Sequence, residues 1–537
     1  GIVLLKGPSA NQYKFTINPD GTFTAYPGLC GNLIKIGNEY HFTDKNGTIY
    51  LFNISGMIIR QLDSEGHARI YSYNGQQQLV RVTDDVSGRF LALDYDLQGR
   101  ISTVSDQSER SVFYYYDETS GDLSQFDDLG NNTWTYDYFE ATTVGHLLSQ
   151  VTDPSERIIE RTEYDEQGRA VRQFDGTDTL ILELEYQNGF GLTKVLDANM
   201  NPTVFNFGND NALKSQENAL GMTIEKDFDL NFNLSTLTDV SGNVTELEWS
   251  ENGRNLTQVS DALENLTHFE YTDDNLTKII DALGNETNLV YQGKLLISSS
   301  DEYGNITTYD YTTAMDSPQP VGLLKSITDA LGRTTSYFYD ENGQLAETSN
   351  ELGIFTAYAY NELGQMITQY TPDGRANWNC YDDFGRVTRS VENASGDGSS
   401  PQSDPCDREN YEENGDPDYD LISERIYDVS GNLIATIDRR GIITRSYYDS
   451  ANRLVATVQN LQNWDLFNPN LPPPEYRTVI DNLLNQTVYD EAGNMIATIA
   501  TDGKITRTYY DALQRPEFIV QNLNGQDIFV PSPPAAS

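Results

Sequence analysis

Tyr95-Asp-Leu-Gln-Gly-Arg-Ile101 is one copy of a pattern that runs through the chain and decides its fold. Tyr-Asp pairs stand at Tyr95-Asp96, Tyr116-Asp117, Tyr164-Asp165, Tyr339-Asp340, Tyr381-Asp382, Tyr427-Asp428, Tyr448-Asp449, Tyr489-Asp490 and Tyr510-Asp511, with Tyr360-Asn361 as a near variant. The step from 95 to 116 is 21 residues, and 21 recurs from 339 to 360, 360 to 381, 427 to 448 and 489 to 510. A second pattern interleaves with the first: Asp239-Val-Ser-Gly-Asn243, Asp261-Ala-Leu-Glu-Asn265, Asp281-Ala-Leu-Gly-Asn285, Asp301-Glu-Tyr-Gly-Asn305 and Asp329-Ala-Leu-Gly-Arg333. Repetition at a fixed period marks a repeat architecture. Each unit reads strand, turn, strand, turn.

Turn chemistry explains these residue types. An Asp that opens a turn accepts hydrogen bonds from backbone N–H groups a few residues on. The Gly three residues later supplies the positive φ that closes a hairpin: Gly99 after Asp96, Gly168 after Asp165, Gly284 after Asp281, Gly431 after Asp428 and Gly493 after Asp490. Asn452 takes the same place after Asp449. The flanking strands alternate, so Thr444, Ser446 and Tyr448 share one face and Arg445 and Tyr447 the other. Both faces are semi-polar. At this period 537 residues hold roughly 25 hairpins, more strands than an open twisted sheet carries without curling. The expected fold is all-β: tandem antiparallel hairpins coiled into a hollow spiral shell or tube, with almost no helix.

Composition agrees. Only 38% of residues are hydrophobic, yet there are 34 tyrosines, which suits sheet with neither face fully dry. A formal net charge of −46 argues against nucleic-acid binding and against docking on an anionic membrane. No stretch approaches 18 apolar residues, so no membrane insertion is expected. The chain opens Gly1-Ile-Val-Leu-Leu without initiator Met or signal peptide, which we read as a piece of a larger polypeptide.

Four stretches follow from the pattern. Residues 1–80 carry degenerate hairpins, residues 81–392 the clear repeat, residues 393–420 an irregular acidic insert, and residues 421–537 two 62-residue units with Pro-rich connections. In that last stretch Tyr427-Asp-Val-Ser-Gly-Asn-Leu-Ile-Ala-Thr436 returns as Tyr489-Asp-Glu-Ala-Gly-Asn-Met-Ile-Ala-Thr498, and the connections are Phe467-Asn-Pro-Asn-Leu-Pro-Pro-Pro474 and Val530-Pro-Ser-Pro-Pro534. The second connection reads as a unit cut short, with further copies in the parent chain. Cys380 precedes the insert and Cys406 lies within it, and a disulfide between them is expected in an oxidising compartment. Cys30 stands alone and reads as a small buried hydrophobe.

The pattern Tyr-Asp-x-x-Gly-Arg-Leu, as in Tyr95–Ile101 and Tyr164-Asp-Glu-Gln-Gly-Arg-Ala170, resembles the YD repeats of Rhs proteins, insecticidal toxin-complex shell components and teneurin barrels. The resemblance covers nearly the whole chain. It implies a β ribbon spiralling into a cocoon that encloses a toxin or forms an extracellular adhesion module. The toxin-delivering members end their shell with Asp-Pro-x-Gly; here Asp153-Pro-Ser-Glu, Asp404-Pro-Cys-Asp and Asp416-Pro-Asp-Tyr all lack the glycine.

No enzymatic signature competes with this reading. His41, His67, His146 and His268 are scattered, and no nucleophile elbow, phosphate loop or His-Glu-x-x-His is present. We therefore expect no catalytic residues, no cofactor and no metal. Asp197-Ala-Asn-Met-Asn201 has oxygen ligands for Ca²⁺, but Asp closing its own turn is the simpler reading. Twelve Asn-x-Ser/Thr triplets, Asn243 and Asn285 among them, arise where a turn Asn meets a strand Thr. The tyrosine ladder offers either packing against the next repeat or stacking on glycans. The expected protein is extracellular, on a cell surface, in the style of bacterial repeats. Its expected partner is itself or further repeats of its parent, as a fibre, a toxin-enclosing shell, or a glycan-binding adhesin.

Overall fold

A computed structural model describes every residue except 7–11, 27–28, 30, 45–46, 140–144, 188–190, 209–211, 396–403, 414–416, 463–471, 474–479 and 524–537. Cys30, Asp416, the run Val530–Pro534, and all of Phe467–Pro474 except Pro472 and Pro473 lie outside the described residues. The rest forms short strands joined by tight turns. Among the described residues the one helical piece is a single 3-10 turn at Ala314–Asp316.

Contacts group the chain into two units. One takes Gly1–Glu109, Gly208–Ser215 and Thr223–Gly374; the other takes Arg110–Phe207, Gln216–Met222 and Arg375–Ser537. These groupings follow contact, whereas the four stretches of the sequence follow pattern, and the two divisions do not coincide.

Within each unit strands pair antiparallel with their sequence neighbours, and the two sides of a strand pair differently. Inside a hairpin the ladder is long and ends on the repeat tyrosine. Phe90–Tyr95 meets Ile101–Asp106 with Asp94 opposite Thr103 but Tyr95 opposite Ile101, which leaves Ser102 as an extra residue. The same shift falls at Tyr164, Tyr339 and Tyr448. A bulge at each of these tyrosines bends and twists the ribbon at its hairpin. Between hairpins the ladder is shorter. Leu345–Asn350 joins Phe355–Tyr360 only from Glu347↔Ala357 to Ser349↔Phe355. Among the described residues no ladder joins the first strand of a run to its last, so each run is an open ribbon.

The core is thin. Most strand positions are half-buried, and full burial is confined to local clusters. In the first unit Phe15, Leu33 and Phe42 gather Val3, Tyr40 and Tyr50 around them, with Phe15 edge-on to Phe42 at 6.0 Å. In the second unit Ala456, Val458, Leu461 and Leu484 form the corresponding cluster. With so little dry interior, stability rests on ladders, turns and contacts between adjacent hairpins.

Candidate functional site

Two kinds of turn alternate, so a ribbon has two unlike edges. One carries the Tyr-Asp turns; the other, here called the return edge, carries turns such as Asp281–Asn285. Both close alike. Asp96 Oδ1 accepts from the backbone N–H of Gln98 (3.0 Å) and Arg100 (2.8 Å), and Arg100 Nε donates to Oδ2 at 2.7 Å. Asp165 repeats this with Gln167 and Arg169. Asp428 accepts from Ser430 and Asn432, and Asp490 from Asn494. Asp281 uses Leu283 and Asn285, whose side-chain amide donates to Oδ2 at 2.7 Å. That amide, and then the Asn285 N–H, holds the Asp281 carboxyl below the ordinary carboxylate range. The glycines sit at positive φ, from 75° at Gly168 to 89° at Gly431. Asp197 likewise caps its own turn through the N–H groups of Asn199 and Asn201.

The tyrosine has a second task that the spacing did not reveal. Its hydroxyl donates to the backbone carbonyl of the residue paired with the previous repeat tyrosine across its hairpin: Tyr95 to Leu79 (2.7 Å), Tyr164 to Leu148 (2.6 Å), Tyr339 to Leu324 (2.9 Å) and Tyr360 to Leu345 (2.9 Å). Each acceptor lies two residues beyond the last pair of the short inter-hairpin ladder, where the strands have parted and the carbonyl has lost its ladder partner. The clasp survives the inserts. Tyr427 reaches Val387 across 40 residues, and Tyr489 reaches Leu454 across 35. Trp249 does the same job with its indole N–H on Leu234 at 2.8 Å. Burial raises the pKa of Tyr164, Tyr339, Tyr360 and Tyr448 above the free phenol value, as befits an obligate donor. The motif arginine completes the joint by lying over the next tyrosine ring: Arg169 on Tyr186 at 4.5 Å and Arg386 on Tyr427 at 4.4 Å.

Inside each unit, ribbons meet edge to edge, and at the contacts seen among the described residues the pairing is of unlike edges. In the first unit return turns at 63–67 and 84–89 seat on Tyr-Asp-edge turns far along the chain. His67 Nε2 lies 2.8 Å from Val321 O, and Arg89 Nη2 donates to Gln344 Oε1 at 2.7 Å. In the second unit Arg157 of a return turn donates to Ser430 Oγ at 2.8 Å, and Ser430 Oγ donates to Asp153 Oδ2 at 2.7 Å. The Asp153 carboxylate is wholly buried. Burial opposes its ionisation, but hydrogen bonds from Arg157 and Ser430 outweigh that and keep its pKa low. Contact is close enough that a Cβ on Gly176 would stand 2.3 Å from the Ser450 carbonyl oxygen. Gln514 reaches Asp197 Oδ2 at 2.8 Å. Partners are 254 to 277 residues apart before the second insert and 317 after it.

The acidic insert is fastened to the second unit. Cys406 is bonded to Cys380 with a Cα–Cα separation of 5.4 Å. Arg408 pairs with Glu424 at 2.5 Å, and Arg389 lies over the Tyr411 ring at 5.6 Å. Asp420 anchors the base, accepting from Tyr411 Oη and from the Ser395 N–H at 2.7 Å. Asn460 and Asn482 fasten the base of the second insert in the same way.

Three of the four histidines pair with separate carboxylates: His41 with Glu39, His67 with Asp63, and His146 with Asp122. Among the described residues no group of three His, Cys, Asp or Glu is arranged to hold a metal ion, and no helix is long and apolar enough to cross a membrane.

The RHS Repeat family model matches residues 320–353 and 339–376. No curated protein matches the chain. Among solved structures the chain is similar to TcdB2-TccC3 without its hypervariable C-terminal region, at 14% identity and a TM-score of 0.43, over 97% of this chain and 30% of that one. It is also similar to the Photorhabdus luminescens Tc holotoxin pore, at 14% identity and a TM-score of 0.39, over 97% and 30% of the two chains. The chain thus spans less than a third of these solved chains. The hairpins at 320–376, which match the RHS Repeat model, share their turn closure and tyrosine clasp with hairpins on either side.

Proposed function

We propose that the chain is part of a non-enzymatic extracellular protein whose RHS-repeat ribbon builds a β-shell or fibre on the cell surface. One observation carries this reading: the groups with chemistry to offer are engaged in the frame itself. Repeat phenols clasp carbonyls, turn carboxylates hold backbone N–H groups, and motif arginines join turn to turn and ring to ring. Edge-to-edge seating within a unit makes a wall out of ribbons, and a wall also serves the second reading, a segment of a shell that encloses a toxin. Protease treatment of intact cells tests the location: digestion supports display at the surface, and complete protection while lysates are cut overturns it. Electron microscopy of the native particle separates the forms, since closed cocoons favour enclosure and continuous filaments favour the fibre.

A further inference from the structure

The first unit leaves one return edge uncovered, and that edge is apolar. Five successive return turns along residues 256–360 place Leu263, Leu283, Tyr303, Leu331 and Leu352 at the same turn position, 75% to 87% exposed. Successive hairpins are two strands apart, so the tips form a comb with teeth roughly 10 Å apart. Several return turns that are covered within the units carry polar residues at this position, as at Glu65, Ser108, Ser155 and Asn199; where a covered turn carries an apolar one, Val86, it lies against the Tyr-Asp edge, its Cγ1 3.2 Å from where a Cβ on Gly343 would stand. Large apolar side chains this exposed on consecutive turn tips mark a surface that another molecule covers.

The seams already present say which surface fits. At the contacts seen between ribbons of one unit, among the described residues, a return edge seats on a Tyr-Asp edge. The same unit carries an uncovered Tyr-Asp edge on its first ribbon, at the turns Asn53–Met57, Asn74–Gln78 and Asp96–Arg100. It too has exposed apolar tips, with Leu97 fully exposed and Ile54 at 54%. Both edges belong to the same repeat, so their hairpin spacing matches.

We propose that the Leu263–Leu352 comb docks on the Tyr-Asp edge around Ile54 and Leu97 of a second copy of this chain, continuing between molecules the seam found within each unit. Because the two edges differ, the contact is heterologous, and copies add head to tail without a built-in stop. This deepens the proposed structural role and rests on it. Burying each tip is worth enough that Leu→Asp weakens association by about tenfold or more.

Sedimentation velocity over a wide range of concentration tests it. Wild type is expected to form species that grow beyond a dimer, and the double variant Leu283→Asp/Leu331→Asp to remain monomeric. The pair Ile54→Asp/Leu97→Asp is also expected to remain monomeric, whereas a mixture of the two double variants forms dimers and stops there. A wild type that is monomeric throughout overturns the proposal, as does assembly by either variant alone. A wild type that stays monomeric but binds phosphatidylcholine vesicles through the comb also overturns it. Circular dichroism on the same samples separates this failure from failure of the structural reading: a β spectrum with no assembly removes only the docking, and a helical spectrum removes both.

Discussion

Replacing Tyr360 with Phe isolates the clasp from everything else the tyrosine does. The ring, the bulge and the Tyr360↔Met366 pair remain, and only the hydrogen bond to Leu345 O at 2.9 Å is lost. A neutral hydrogen bond contributes about 1 kcal/mol net, and a half-buried acceptor left unpaired sets a similar scale. Tyr360→Ala also removes the ring. For a fully buried aromatic that costs about 3–5 kcal/mol, and half-burial brings it to about 2. Tyr360→Trp is expected to come close to wild type, because Trp249 already makes this bond elsewhere in the unit. Amide hydrogen exchange resolved by hairpin is the assay. Tyr360→Phe should speed exchange of amides in residues 345–370 by about fivefold while the hairpin at 90–106 is unchanged. Unchanged exchange in the Phe variant, or a Trp variant as damaged as the Ala variant, would refute the clasp.

Three further outcomes follow from the same geometry. Gly284→Val places a β-branched residue at φ 82° where no atom lies within 4 Å of the new Cβ, so the cost is backbone strain alone, at least about 1–2 kcal/mol, and exchange should rise around residues 275–292 while distant hairpins stay protected. Gly284→Asn should recover most of the loss. Removing the Cys380–Cys406 link by Cys380→Ser should cost about 3 kcal/mol in the chain-entropy model for a loop of 26 residues, read as faster proteolysis within 393–420; mass mapping that finds both thiols free in native protein contradicts the link. Raising the pH should loosen the array from about pH 10 upward. Burial raises the phenol pKa of Tyr164, Tyr339, Tyr360 and Tyr448, so their contribution is intact below the unfolded value and is lost as the pH climbs through the folded one. Ultraviolet titration should find late-ionising tyrosines whose ionisation coincides with loss of β signal, and phenols that all titrate together near 10 without unfolding would contradict the assignment.

The hairpins were legible because their signals are local. Asp96 and Gly99 lie three residues apart and settle a turn by themselves, and the 21-residue step does the rest. Variants of the turn were less visible. Phe232, Glu264 and Gln514 hold the left-handed position where Gly or Asn was the expectation, at φ 61°, 62° and 58°. Asp229, Asp261 and Asp511, three residues earlier, were the available signal. Trp249 was hidden by residue type, though its place 22 residues before Tyr271 fits the period. The seams could not be read at all. Whether Ser430 meets Asp153 depends on curvature accumulated over a dozen bulged hairpins, and no single turn encodes that sum. The pairing of unlike edges, and with it the meaning of the Leu283 and Leu331 tips, appears only once the ribbon has returned on itself within a unit.

That return works like meshed teeth on a rack, and it sets rules for how such a gene drifts. Duplicating one hairpin inside 110–207 would advance the second ribbon by one tooth, setting the Ser430 turn opposite the wrong notch and stranding the buried Asp153 carboxylate. Gain or loss of single repeats in an engaged stretch is therefore an all-or-nothing slip, which selection tolerates only in matched pairs. Growth has a safer outlet at return turns outside the mesh. Both lengthened connections of the second unit, 393–420 and 460–482, emerge at such turns, where the chain can lengthen and diversify without jumping a tooth.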